Sequence, residues 1–130
     1  MRHLVRERGL NGEFEIASAG TGAWHIGEYP DQRSTEAARR RGIVLAGRAQ
    51  QVRASDFADH DLLVAMDRTN FRELLRLAPD DASRAKVRTL LADTDVPDPY
   101  YGGERGFDDV LDLVIEGCEQ LLDELAPPPA

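Results

Sequence analysis

Residues 95 to 106, DVPDPYYGGERG, place three carboxylates, a Pro-Asp-Pro step, paired tyrosines and a glycine pair on a segment that only a surface loop can accommodate. A carboxyl group beside aromatic rings that lower local hydration is held protonated long enough to donate to a leaving group. Asp98 fits that role, because Pro97 and Pro99 restrict the backbone on both sides of it. From spacing alone a Pro-Asp-Pro loop is also a common turn, and Tyr100 and Tyr101 are equally compatible with packing. Trp24, in SAGTGAWHIG, either walls a pocket for a flat substrate or is a half-buried structural residue. Cys118, the only cysteine, excludes an internal disulfide and any metal site built from several thiolates.

The elements that must position these residues follow from hydrophobic period. MRHLVRERG reads as a helix with Met1, Leu4 and Val5 on one face and Gly9 as a stop, and no capping side chain precedes it. EFEIAS alternates as a half-buried strand would. STEAARRRGI predicts a helix with Ser34 as N-cap, Gly42 as a stop, and Arg39, Arg40 and Arg41 at the end that favours cations. SDFADH predicts a helical turn, and LLVAM (62–66) a central strand buried on both faces. Asp67 or Thr69 is placed to cap the next helix, whose Phe71, Leu74 and Leu75 form its apolar stripe up to Pro79. VRTLL (87–91) reads as the last strand. FDDVLDLVIEGCEQLLDEL then carries Phe107, Val110, Leu111, Val114, Cys118, Leu121, Leu122 and Leu125 at helical spacing. Strands alternating with helices predict an α/β fold, an open parallel sheet flanked by helices with ligands bound at the carboxyl ends of the strands.

Composition narrows the function. A length of 130 residues fits one domain, and 42% hydrophobic with 31% charged residues is ordinary for a soluble protein. No apolar run approaches the ~18–20 residues of a membrane span, and no signal peptide is readable, so a cytoplasmic location without a membrane partner is the expectation. The net charge of -8 argues against a nucleic-acid partner.

Taken together, SAGTGAWHIG, a helix ending RRRGI, LLVAMDRTNFREL, DPYYGG and a long terminal helix resemble the low-molecular-weight protein tyrosine phosphatases, in that family's order, from about Met1 to Leu125. The resemblance implies a phosphotyrosine protein phosphatase I-like fold and hydrolysis of phosphotyrosine proteins or small aryl phosphates through a cysteinyl-phosphate intermediate, without metal or organic cofactor. It implies Asp98 as general acid and Trp24, Tyr100 and Tyr101 as walls of the cleft. The family's nucleophile lies in a loop of Cys, five residues, Arg and Ser or Thr, where backbone N–H groups bind phosphate and lower the thiol pKa. No Cys with Arg six residues on occurs in these 130 residues: Cys118 is followed at that distance by Glu124 and is expected in the core.

Against the family pattern Met1 falls inside the first helix. The expectation is therefore an N-terminally truncated domain over residues 1–125, followed by a loose tail over 126–130, with the family's first, interior strand missing. Such a chain is expected to be inactive and poorly stable alone, since each unpaired buried backbone group costs about 1–3 kcal/mol. Gly47 stands where the family often has His, a lesser departure. Two other readings stay open: a non-catalytic interaction module completed by strand addition from a partner, and an arsenate reductase-related protein, which the absence of further redox cysteines disfavours.

Overall fold

The computed structural model describes residues 1–10, 12–21, 27, 32–45, 50–92, 94–97 and 106–126. The contacts of the chain group it into two compact units, one of Met1–Ser18, Tyr29–Gly47 and Asp98–Ala130 and the other of Ala19–Glu28 and Arg48–Pro97.

The first unit is helical among the described residues. Helix α1 (Arg2–Glu7) buries Leu4 and Val5. It ends where Gly9 adopts φ 69°, a left-handed conformation that costs glycine little. There Gly9 N–H donates to Arg6 O and Leu10 N–H to Val5 O, satisfying carbonyls that have no further helical turn to bond. Helix α2 (Gln32–Arg39) stops in the same manner at Gly42, φ 76°, with Ile43 N–H on Ala38 O. Both α1 and α2 pack on α6 (Gly106–Leu125), which buries Gly106, Gly117, Cys118, Leu121 and Leu122. Asp108 and Asp109 occupy the first turn of α6, the end where carboxylates are favoured.

The second unit carries the sheet. Strand β1 (Leu63–Ala65) pairs in parallel with β2 (Val87–Thr89), in the register Leu63 to Val87, Val64 to Arg88 and Ala65 to Thr89. Helix α4 (Arg68–Leu77) lies in the crossover between them and packs on both strands. Short helices α3 (Asp56–Asp59) and α5 (Asp81–Arg84) flank the two strands in sequence. Phe57, Ala65, Leu74, Ala78 and Val87 form the core of this unit, with Val52, Leu63, Phe71 and Leu75 packed against it. Lys86 closes the C-terminal end of α3 by donating from Nζ to Phe57 O and His60 O, carbonyls the helix itself cannot satisfy.

Several sequence expectations are corrected. EFEIAS forms no strand; Phe14 and Ile16 are half-buried between exposed neighbours as the alternation predicts, yet only Gly20 bridges Gln51, in parallel. A strand needs a ladder, and no backbone ladder joins residues 14–17 to another segment among the described residues. Of LLVAM only three residues are strand, with Leu63 and Val64 half-buried rather than enclosed. The reason is that β1 has one strand neighbour, β2, among the described residues. Ser34 lies inside α2 rather than capping it, because the helix already starts at Gln32, whose Nε2 reaches Glu36 Oε1 at 3.3 Å one turn on. Leu125, which shares the apolar spacing of α6, is 47% exposed in the final turn of that helix. Helix α5 was not expected; its one sequence signal is Asp80, which caps the first turn by accepting from Ser83 N–H at 2.7 Å.

The arginine run does more than complement a helix end. Arg41 donates through Nη1 to Asp112 Oδ1 on α6 and lies 3.6 Å from Asp108, which Arg40 approaches at 3.5 Å. These link the turn that follows α2 to α6, and they are invisible in the sequence because 67 or more residues separate the partners.

Candidate functional site

Asp98, Trp24, Tyr100 and Tyr101, the four site residues expected from sequence, lie outside the described residues, as do Gly47 and the tail from Pro127. What the structure does describe is the chain that leads to two of them: Thr21, three residues before Trp24, and Asp95 and Val96, just before Asp98.

Both segments reach the carboxyl end of β1, the position at which an open α/β fold binds ligands. After β2, Leu90 N–H donates to Ala65 O at 2.8 Å, and Val96 N–H donates to Met66 O, also at 2.8 Å. The chain between these bonds therefore leaves the end of β2 and returns to the residue that follows β1. Met66 in turn precedes the start of α4. A helix start offers N–H groups that have no intrahelical acceptor and a partial positive charge. Asp67 caps α4 by accepting from Asn70 N–H at 2.7 Å, which decides between the two expected caps. Asp95 supplies a second carboxylate there, accepting from Arg68 N–H at 3.0 Å.

The SAGT segment arrives from the other direction. Gly20 N–H donates to Gln50 O and Val52 N–H to Gly20 O, each at 2.8 Å. Gln51 Nε2 donates to Thr21 O at 3.3 Å, and Asn70 Nδ2 donates to Thr21 Oγ1 at 3.4 Å. Thus the first turn of α4 receives both the Thr21 segment and the Asp95 segment. Sequence reasoning singled out neither Asn70 nor Asp95 for this role. The readable signal was Asp67-x-x-Asn70 at a helix start, with a carboxylate just ahead of the Pro-Asp-Pro step.

Cys118 is buried, 6% exposed, on α6 as expected, in the interior of the helix with Glu119 and Gln120 following it. Among the described residues no group of three His, Cys, Asp or Glu side chains is placed to hold a metal ion, and no helix is long and apolar enough to cross a membrane.

Comparison with known proteins agrees with this architecture. A low molecular weight protein-tyrosine-phosphatase of Streptomyces coelicolor is 43% identical over 129 residues, covering 93% of this chain and 79% of that protein. The low molecular weight phosphotyrosine protein phosphatase of Schizosaccharomyces pombe is 38% identical over 133 residues, covering 96% and 84%. Among solved structures, a protein tyrosine phosphatase from Entamoeba histolytica, crystallised with Hepes in the active site, superposes with a TM-score of 0.89 at 33% identity, covering 95% of this chain and 83% of its own. The fold is accordingly the α/β fold of these phosphatases, a parallel sheet with flanking helices. The family description "Low molecular weight phosphotyrosine protein phosphatase" matches residues 1–128, and the chain belongs to that family.

Proposed function

We propose that this chain carries the acid and aromatic side of a phosphotyrosine monoesterase site, and that the nucleophilic side comes from residues outside these 130. The family match over residues 1–128, which includes DPYYGG, carries this reading. The tether of Val96 at the carboxyl end of β1, two residues before Asp98, supports it. In the proposed reaction a cysteine thiolate attacks phosphorus and forms the S–P bond while the P–O bond to the aryl group breaks. Asp98 passes its proton to the departing oxygen. Unassisted departure would release a phenolate whose conjugate acid has a pKa of about 10, so a donor lowers the barrier. Trp24, Tyr100 and Tyr101 would flank the ring of the substrate, a phosphotyrosine protein or small aryl phosphate. No cofactor enters this scheme.

Cys118 is not the nucleophile in this reading: it is buried, and the residue six positions on is Glu124, a repulsive neighbour for a phosphate. A general acid supplies on the order of 10²–10⁴-fold, far less than phosphate monoester hydrolysis requires. The 130 residues as they stand are therefore expected to show no turnover, and their domain, residues 1–125, to be incomplete.

The test is a pair of proteins assayed on phenyl phosphate: the 130-residue chain, and a chimera in which a relative's Cys-x5-Arg segment precedes Met1. Only the chimera should turn over. Asp98→Asn in the chimera should lower kcat by about 10²–10⁴-fold, and by less on nitrophenyl phosphate, whose leaving group needs less help. Undiminished hydrolysis of phenyl phosphate by the variant would remove Asp98 from the mechanism, and robust hydrolysis by the 130-residue chain would refute the division of the site.

A further inference from the structure

We propose that the first turn of α4 is a shared brace through which the segment ending at Thr21 and the segment ending at Val96 are held in register, with Thr21, Asn70 and Asp95 as positioning residues. The proposal rests on the reading of Trp24 and Asp98 as site residues, since these are what the two segments lead to.

The geometry supplies the coupling. Asp67 accepts from Asn70 N–H at 2.7 Å, which closes the first turn and fixes the backbone that carries the Asn70 side chain. That side chain donates to Thr21 Oγ1 at 3.4 Å. Two residues earlier in the same turn, Arg68 N–H donates to Asp95 Oδ1 at 3.0 Å, and Met66 O receives Val96 N–H at 2.8 Å. Thr21 is separated from Asn70 by 49 residues and Arg68 from Asp95 by 27, so no local sequence interaction joins the segments. If Asp95 lets go, the Arg68 amide loses its acceptor and the first turn frays. Asn70 is then no longer held toward Thr21. Coupling of this kind is reciprocal, so releasing Thr21 must loosen Asp95 as well.

Amide hydrogen exchange on the whole 130-residue chain, resolved to single residues, tests this without any substrate. Its failure would therefore leave the reading of Asp98 untouched, and loss of that reading would leave the brace measurable. Thr21→Val removes the hydroxyl and keeps the shape. It should speed exchange of the Arg68 and Val96 amides by about two- to tenfold, the effect of losing one net hydrogen bond. Asp95→Ala should speed Gly20 and Val52 by a similar factor. Asp95→Asn, which retains an oxygen for Arg68 N–H, should restore the slower rates, and Arg72→Ala, an exposed change one turn along α4, should leave all four amides unchanged. Wild-type rates at Arg68 and Val96 in Thr21→Val, or at Gly20 and Val52 in Asp95→Ala, would overturn the brace. So would equal acceleration of Leu63 and Leu90, because general unfolding and not a coupled turn would then connect the segments.

Discussion

Phe57→Ala removes the aromatic ring by which the four-residue helix α3 joins the core of Ala65, Leu74, Ala78 and Val87. A helix of one turn has no stability of its own, so its place depends on this ring and on the Lys86 bonds to its carbonyls. Phe57 is 1% exposed, so the substitution returns almost nothing to solvent and instead leaves a void among side chains that cannot all collapse into it. A buried aromatic contributes about 150–200 Å² of apolar area, which at about 25 cal/mol per Å² is roughly 4–5 kcal/mol. The methyl group of alanine retains a fraction of that, and the cavity adds a cost, giving about 3–5 kcal/mol. Even against the roughly 5–15 kcal/mol of an ordinary domain this is a large loss. Urea unfolding followed by far-ultraviolet circular dichroism measures it: with a slope of about 2 kcal/mol per molar, the midpoint should fall by about 1.5–2.5 M. Phe57→Leu, which refills most of the volume, should fall by less than half as much. A Phe57→Ala midpoint within about 0.3 M of the parent would show that α3 does not anchor this core, and the packing argument for the second unit would fail.

Other outcomes follow from single contacts. Asp80 accepts from the Ser83 hydroxyl and N–H, which hold its carboxyl below the ordinary value of about 3.9. A carboxylate with a depressed folded pKa contributes stability that is complete above the unfolded value and is lost as pH falls through the folded one. Asp80→Asn should therefore flatten the acid limb of the urea midpoint below about pH 4; an unchanged acid limb would show that the cap is not coupled to folding. Cys118, 6% exposed in α6, should react with a thiol reagent at least tenfold more slowly in buffer than in denaturant, and fast reaction in buffer would contradict its burial. Asp67→Ala deletes the α4 cap and should cost about 0.5–2 kcal/mol in the same urea assay, with Asp67→Asn nearly neutral because it still accepts from Asn70 N–H; equal loss in both would assign the effect to charge instead of capping.

Much of the fold was legible because it depends on near neighbours. The apolar spacing of α6, the Gly9 and Gly42 stops, the β1 and β2 runs and the apolar stripe of α4 are each written within a few residues, so hydrophobic period and backbone preference sufficed. Where the reading failed, the deciding partner lay elsewhere. EFEIAS has the alternation of a strand but no ladder among the described residues, and pairing is a property of two segments. LLVAM has the composition of an enclosed strand, yet how deeply it is buried depends on what flanks it. Of the candidate site, the residue types around Asp98 were plain in the sequence, whereas the tether of Val96 to Met66 and the meeting of Thr21 with Asn70 were not.

By itself, then, the sequence determined which chemistry these residues can supply: a carboxylic acid between prolines, aromatic neighbours for a ring, and a lone cysteine at a core position of a helix. Residue type and local spacing decide such matters, because pKa range, ring shape and helical face are carried by each side chain and its immediate neighbours. Only the tertiary structure decided that one helical turn, Asp67 to Asn70, receives two segments far apart in the chain. It also decided that Arg41 reaches across to Asp108 and Asp112. These are meetings of groups that become neighbours only when the chain folds, and their hydrogen bonds depend on distances that sequence separation does not contain.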